Sequence, residues 1–349
     1  MTTKRTEAEK NAVGLRVWAP AKVNLFFEIL FKRDDGFHEI QTVATPIGLC
    51  DELELLSRDE KTGAKIEKTS ISACVDDAGN PVPGVPLDER NLIIRAAKAF
   101  DEAFGEPTPV SIRVVKRIPS QAGLGGGSSD AAATLAALNE LRGRPFSNER
   151  LREIGGRLGS DVPLFLLDGA SVGRSRGEIV EPFELPEIWL VVLKPSEGLS
   201  TPEVFRRYAA LPPTPKRSFD GFCAAVSTVK RENGVSGMNE GDEADGENGE
   251  TAANGDVAAA VGASLFNRLE EVASTIWDGV ARYRAALTAT RDVLGVQMSG
   301  SGTAFFAIYP NEAAARTAAE TLRARNVDGE TIAVARTLAT TFRFRSLDA

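Results

Sequence analysis

The chain has 349 residues, 42% of them hydrophobic, with three cysteines, one histidine and a net charge of −8. That length is enough for two domains with ordinary cores. The balance shows no basic footprint of a nucleic-acid protein, and no apolar run reaches the ~18 residues a membrane helix needs. The acidity is local: residues 231–257 hold eight acids and one base, so they carry −7 and the remainder −1. Cys50, Cys74 and Cys223 lack CxxC spacing, which points to a reducing compartment, the cytoplasm. The start of the chain has neither the apolar core of a secretory signal nor the composition of a transit peptide. His38 alone cannot make a His-rich metal site, and no GxSxG elbow stands beside it for a serine triad.

In chain order, residues 1–12 read as a polar, loose segment. Residues 15–43 read as strand, Pro-containing bend, strand, turn and strand, with "RDDG" (Arg33 to Gly36) as hairpin chemistry. "DELELL" (Asp51 to Leu56) alternates as a half-buried strand. Asn91 to Phe104 carries helical spacing and Pro109 to Ile118 reads as a strand. A helix is expected from about Ser129 to Leu141, another from Ser147 to about Leu158, broken by "GSDVP". "IWLVVLKP" is a strand, "TPEVFRRYAAL" a short helix and "PPTPKRS" a Pro-rich loop. Residues 231–257 have too few large apolar side chains to offset the entropy of ordering, so a disordered insertion is expected there. "SLFNRLEEVASTIWDGVARYRAAL" then reads as helical. "VLGVQMSGSGTAFFAIYP" reads as strand, glycine turn and strand, and is followed by a helix and a final strand. Without a regular βαβ beat, α+β is expected over a doubly wound sheet.

"PSQAGLGGGSSDAA" sits between the Pro109 to Ile118 strand and a helix, with no room to act as a linker. Helix N-termini expose unpaired N–H groups and partial positive charge, and glycines let those amides approach an anion. Gly123, Leu124, Gly125, Gly126, Gly127, Ser128 and Ser129 are therefore read as a phosphate cradle. The segment is neither a Walker loop nor a sound Rossmann fingerprint. "PAKVNL" places Lys22 and Asn24 two apart on one strand face, "GSDVP" places Asp161 between helix and proline, and "SGSG" (Ser299 to Gly302) adds a second glycine turn.

Together, "PAKVNL", "DGFH", "NLIIRAA", "GLGGGSSDAA", "GSDVP", "TPEVF", "TPKRS" and "SGSG", in that order, resemble the GHMP kinase family. The resemblance runs from residue 19 to 302, leaving out the acidic segment and the N-terminal residues. It implies a two-domain α+β fold, with a ribosomal-protein-S5-like half at 1–178 and a ferredoxin-like half at 179–349. It implies transfer of the ATP γ-phosphoryl to an alcohol, with Mg²⁺ carried by the nucleotide and its protein ligands unassigned. The branch it favours takes a cytidine-diphosphate-linked polyol. The alternatives are another small alcohol, or a non-catalytic sensor of the same fold. Asp161 is then the general base and Lys22 its partner at the transferring group. Phe37, His38 and Phe205 serve the cytidine, with Asn24 and Thr201 as weaker substrate contacts. Phe37 stands where the family usually has tyrosine. Asn91 and Lys116 are placed near the adenine, although Asn91 reads equally well as a helix cap. Asp130 reads as a favourable charge at a helix start, its metal role open. No nucleic acid or membrane partner is expected, and the chain should be a monomer or weak homodimer.

Overall fold

The computed structural model describes residues 14–58, 64–232, 247–327 and 331–347. The chain opens with two long antiparallel strands, β1 (Gly14–Lys32) and β2 (His38–Leu56), joined by the Arg33–Phe37 turn. Pro20 lies in β1 where the register with β2 shifts, the kind of irregularity that accommodates a residue without an N–H. Then come β3 (Ser70–Val75), α1 (Leu92–Phe104), β4 (Ser111–Val115), α2 (Gly126–Leu141), α3 (Asn148–Gly156) and α4 (Val162–Phe165). The hairpin β5 (Ser171–Ser175) and β6 (Ile179–Pro182) completes this part, so the boundary expected near residue 178 falls in its turn.

The second part holds β7 (Trp189–Lys194), α5 (Thr201–Ala210), α6 (Phe219–Glu232), α7 (Glu247–Ser264), β8 (Phe266–Asn267), α8 (Arg268–Ala273) and α9 (Gly279–Thr288). It continues with β9 (Gly295–Met298), β10 (Phe305–Tyr309), α10 (Glu312–Ala324), β11 (Thr331–Arg336) and β12 (Arg343–Leu347). Strands β11-β7-β10-β9 form one antiparallel sheet. Strands β8 and β12 instead return to the first sheet, where both pair with β1.

Three of the four apolar clusters among the described residues pack the two sheets. Helices α1 to α4 cover one face of the first sheet through Phe100, Leu135, Leu138 and Phe165. The second sheet alternates as a strand must. Val191, Leu193, Phe305 and Ala307 face α9 and α10. Leu190, Val192, Phe306 and Ile308 face the opposite way, joining Val23, Leu25 and Val43 of the first sheet in a common core.

Three expectations are corrected here. Helix α2 begins at Gly126 rather than near Ser129, with Gly125 as its N-cap in left-handed conformation, so Ser128 and Ser129 lie inside the first turn and cap nothing. The disordered reading of 231–257 fails at its end. Helix α7 starts at Glu247, and Val257, Ala258 and Val261 are buried in the common core, whose apolar contacts outweigh the local polarity. Residues 233–246 of that reading lie outside the described residues. The expected helix through residues 264–287 is interrupted, because Phe266 and Asn267 pair with β1 as β8.

Candidate active site

The cradle is shaped from below. Asp51, fully buried in β2, accepts the backbone N–H of Arg117 at 2.5 Å and of Ile118 at 2.8 Å. These bonds turn the chain out of β4 into the glycine loop. Lys116 lies between Asp51 and Asp130, 2.7 Å from the Asp130 Oδ2. Burial lowers its pKa, but the two carboxylates overcome that and hold it above the ordinary lysine value. Gly123 and Gly125 have φ of +72° and +73°, a region that favours glycine. A cleft of about 290 Å³ opens here, lined by Leu92, Lys116, Ile118 and residues 119–128. The amides of Gly126, Gly127 and Ser128 have no intrahelical acceptor, whereas Ser129 N donates to Gly125 O at 2.8 Å.

Of the residues read as the cradle, Gly123, Gly125, Gly126, Gly127 and Ser128 line this cleft with Leu124. The Leu124 side chain is buried in the common core, so its backbone alone is offered; its carbonyl accepts the N–H of Lys22 at 2.9 Å. Ser129 is buried, and its Oγ and the Asp130 Oδ1 have no hydrogen-bond partner. Asn91 caps α1: its Oδ1 accepts from Ile93 N at 3.0 Å and its Nδ2 donates to Pro86 O at 2.7 Å. Both ends of that side chain are thus engaged.

Across the loop, the Lys22 Nζ stands 3.8 Å from Asp161 Oδ2 and donates to Asn24 Oδ1 at 2.6 Å. Asn24 in turn donates to Thr42 Oγ1 at 2.9 Å, so its amide orientation is fixed. Burial depresses the Lys22 pKa below the ordinary lysine value, and Asp161 restores part of it. Asp161 precedes α4 but makes no capping bond, and its side chain is 44% exposed. A carboxylate in such a turn usually bonds the backbone; this one is left for other chemistry.

The second glycine turn approaches from the other sheet. Ser299 Oγ donates to Gly123 O at 3.0 Å, and Ala304 N donates to Ala122 O at 3.0 Å. A Cβ at Gly300 would stand 3.3 Å from Lys22 Nζ, a close approach that favours glycine there. Asn267 holds this turn by donating to Met298 O and Gly300 O, each at 2.8 Å.

A second cavity of about 270 Å³ shares Gln121 and Gly123 with the first, so the two meet at the glycine loop. Thr201 lines it, 2.6 Å from Ser301 Oγ. The His38 ring lies 5.2 Å from Phe205 and 5.6 Å from Tyr208, both on α5. Burial, then Lys32, lowers the pKa of His38. Phe37 is separate from this group: its ring is half exposed beneath Arg176, 4.9 Å away. Sequence reasoning passed over Tyr208, although Phe205 and Tyr208 stand at i, i+3 spacing on one helix face. It also passed over Thr42, Asn267 and Gln297, whose Nε2 donates to Asn24 O at 2.9 Å. Each acts through a fold contact that no local pattern records.

Residues 91–169 match the GHMP kinases N terminal domain, and residues 252–328 match the GHMP kinases C terminal. The chain belongs to the GHMP kinase family. A 4-diphosphocytidyl-2-C-methyl-D-erythritol kinase of Cupriavidus necator is 34% identical over 304 residues, covering 87% of each chain. A protein of the same name from Exiguobacterium sibiricum is 36% identical over 298 residues, 85% of this chain and 89% of that one. A crystal structure of 4-(cytidine 5'-diphospho)-2C-methyl-D-erythritol kinase superposes with a TM-score of 0.66 at 32% identity, covering 93% of this chain and 99% of its own.

Proposed function

We propose that the protein transfers the γ-phosphoryl of ATP to the 2-hydroxyl of 4-diphosphocytidyl-2-C-methyl-D-erythritol, a step of the non-mevalonate route to isoprenoid precursors. The observation that carries the chemistry is the uncapped, half-exposed Asp161 carboxylate, 3.8 Å from the buried Lys22 ammonium beside the glycine loop. The names of the relatives support the choice of alcohol.

Each residue then has a task. The first-turn amides of α2 and residues Gly123 to Ser128 receive the triphosphate. Asp161 accepts the proton of the attacking hydroxyl. Lys22 stands beside that carboxylate and offsets charge on the transferring group. Asn24 fixes the position of the lysine. His38 and Phe205 receive the cytosine, and Thr201 closes the second cavity against the Ser299 to Gly302 turn. Lys116 supports the cradle through Asp130, and Asn91 acts by capping α1. Among the described residues no three His, Cys, Asp or Glu side chains gather as a metal site. Mg²⁺, bound chiefly through nucleotide phosphates, would neutralise their charge. The protein oxygens that fit it are Ser128 Oγ in the cleft wall and the partnerless Ser129 Oγ and Asp130 Oδ1 behind it. The same reading has the enzyme working in the cytoplasm as a monomer or weak homodimer.

The test is ADP release with Mg·ATP and each of three alcohols. Turnover is expected with the cytidylated polyol alone; equal turnover of homoserine or mevalonate refutes the assignment. Asp161→Asn should lower kcat by about 10²–10⁴-fold while ATP still binds.

A further inference from the structure

The segment "TPKRS", Thr214 to Ser218, carries no role in the chemistry above, yet one of the most completely bonded ion pairs in the fold is built around it. Glu28 of β1 is fully buried and Arg268, the first residue of α8, is 4% exposed. Arg268 Nε donates to Glu28 Oε1 at 2.9 Å and Nη2 to Oε2 at 2.6 Å, a two-pronged pair. The rest of the guanidinium turns to the loop: Nη1 donates to Thr214 Oγ1 at 2.9 Å and Nη2 to Pro215 O at 2.8 Å. Glu271 takes the remaining Nη1 donor at 2.5 Å. Glu28 is equally occupied, since it also accepts Ile29 N at 2.8 Å and Arg217 N at 2.8 Å. Burial pushes its carboxyl up, but Arg268 and these amides outweigh it and hold it below the ordinary glutamate value.

Between the two residues so fixed lies Lys216. Its Nζ donates to Tyr208 Oη at 2.9 Å, and the Tyr208 ring stands edge-on to His38 at 5.6 Å. A buried ion pair is a weak source of stability compared with apolar packing, so its use here is better sought in what it orients. We infer that Glu28 and Arg268 are positioning residues for the alcohol pocket: they clamp residues 214–217 onto β1, and Lys216 of that segment sets Tyr208 against His38. The inference rests on reading His38 and Phe205 as the platform for the substrate's base.

Removing Arg268 alone would strand a buried carboxylate, so the first variant is Glu28→Gln/Arg268→Met, which removes both charges. The second is Lys216→Met, which breaks the relay at an exposed residue. Steady-state kinetics and the His38 Cε1 proton resonance are measured on the full chain without a tag, where the single histidine gives one signal. In both variants KM for the cytidylated polyol should rise about tenfold while KM for ATP stays within about twofold. The His38 resonance should move as the Tyr208 ring current changes. An equal rise in both KM values, or an unmoved His38 resonance in either variant, overturns the inference. If the parent enzyme does not turn over the cytidylated polyol, the substrate reading has failed, and the His38 resonance alone decides whether the relay exists.

Discussion

The contact between the two glycine turns gives the sharpest prediction, through Gly123→Ala. A Cβ at Gly123 would stand 2.0 Å from the Ser299 carbonyl oxygen and 3.1 Å from Gly302 N. The first of these is backbone and cannot rotate away, so the turns must part by roughly 1.5 Å to restore ordinary contact. The positive φ costs about 1 kcal/mol for alanine. Parting also breaks the Ser299–Gly123 bond and stretches the Thr303–Gln121 and Ala304–Ala122 bonds, adding about 1–3 kcal/mol. The total is about 2–4 kcal/mol, or roughly 3–5 °C in Tm for a chain of this length. Because the same movement shifts the cradle against the Ser299–Gly302 turn that approaches Lys22, kcat/KM should fall by about 10²-fold. Gly143→Ala is the control: its φ is +78° and its Cβ would meet nothing within 4 Å. It should cost only the backbone term, about 1 kcal/mol, and leave turnover unchanged. The assays are thermal unfolding and ADP release. If Gly123→Ala behaved like Gly143→Ala in both, the two turns would not be coupled as described.

Lys22 gives a pH dependence. Its depressed pKa means that the ammonium is lost as pH rises through a value below 10.5, so kcat/KM should fall on the alkaline side before a free lysine would titrate. The unfolded chain holds that proton more tightly, so stability moves oppositely, rising with pH across that window. Lys22→Arg should flatten the alkaline fall at reduced kcat; an unaltered profile would show that another group is being titrated. Phe205→Ala should raise KM for the polyol well above the effect of Phe37→Ala, because Phe205 faces His38 and Phe37 does not; equal effects would reinstate Phe37 in the pocket. Val261→Ala, at a fully buried position of α7, should cost about 2 kcal/mol in urea unfolding. No change would return that helix to the uncommitted segment the composition suggested.

The chemistry of the site was legible where it is written in short range. The glycine run, Lys22 with Asn24 at alternate strand positions, and Asp161 before a proline all have local signatures. Their convergence was not derivable from those signatures, since Lys22, Asp161 and Gly300 meet only through the packing of β1, α4 and the β9–β10 turn. Local patterns also misled. Glycine and serine at 125–129 suggested a helix start near Ser129, whereas the first turn begins at Gly126. The acidic composition hid the start of α7, because the common core that buries Val257 and Val261 is assembled from strands far away in sequence. Phe37 was paired with His38 by the family resemblance rather than by a local pattern, and the comparison of Phe37→Ala with Phe205→Ala tests that pairing.

The return of residues 343–347 to pair with Gly14 to Trp18 has a consequence for how the molecule is made. On a ribosome, the margin of β1 waits bare while more than three hundred later residues are synthesised, and β8 shelters only its middle. The sheet of the half that receives the nucleotide is therefore not fully paired until the last strand has been made. A nascent chain halted before residue 343 would present an open sheet margin to chaperones or to other copies of itself.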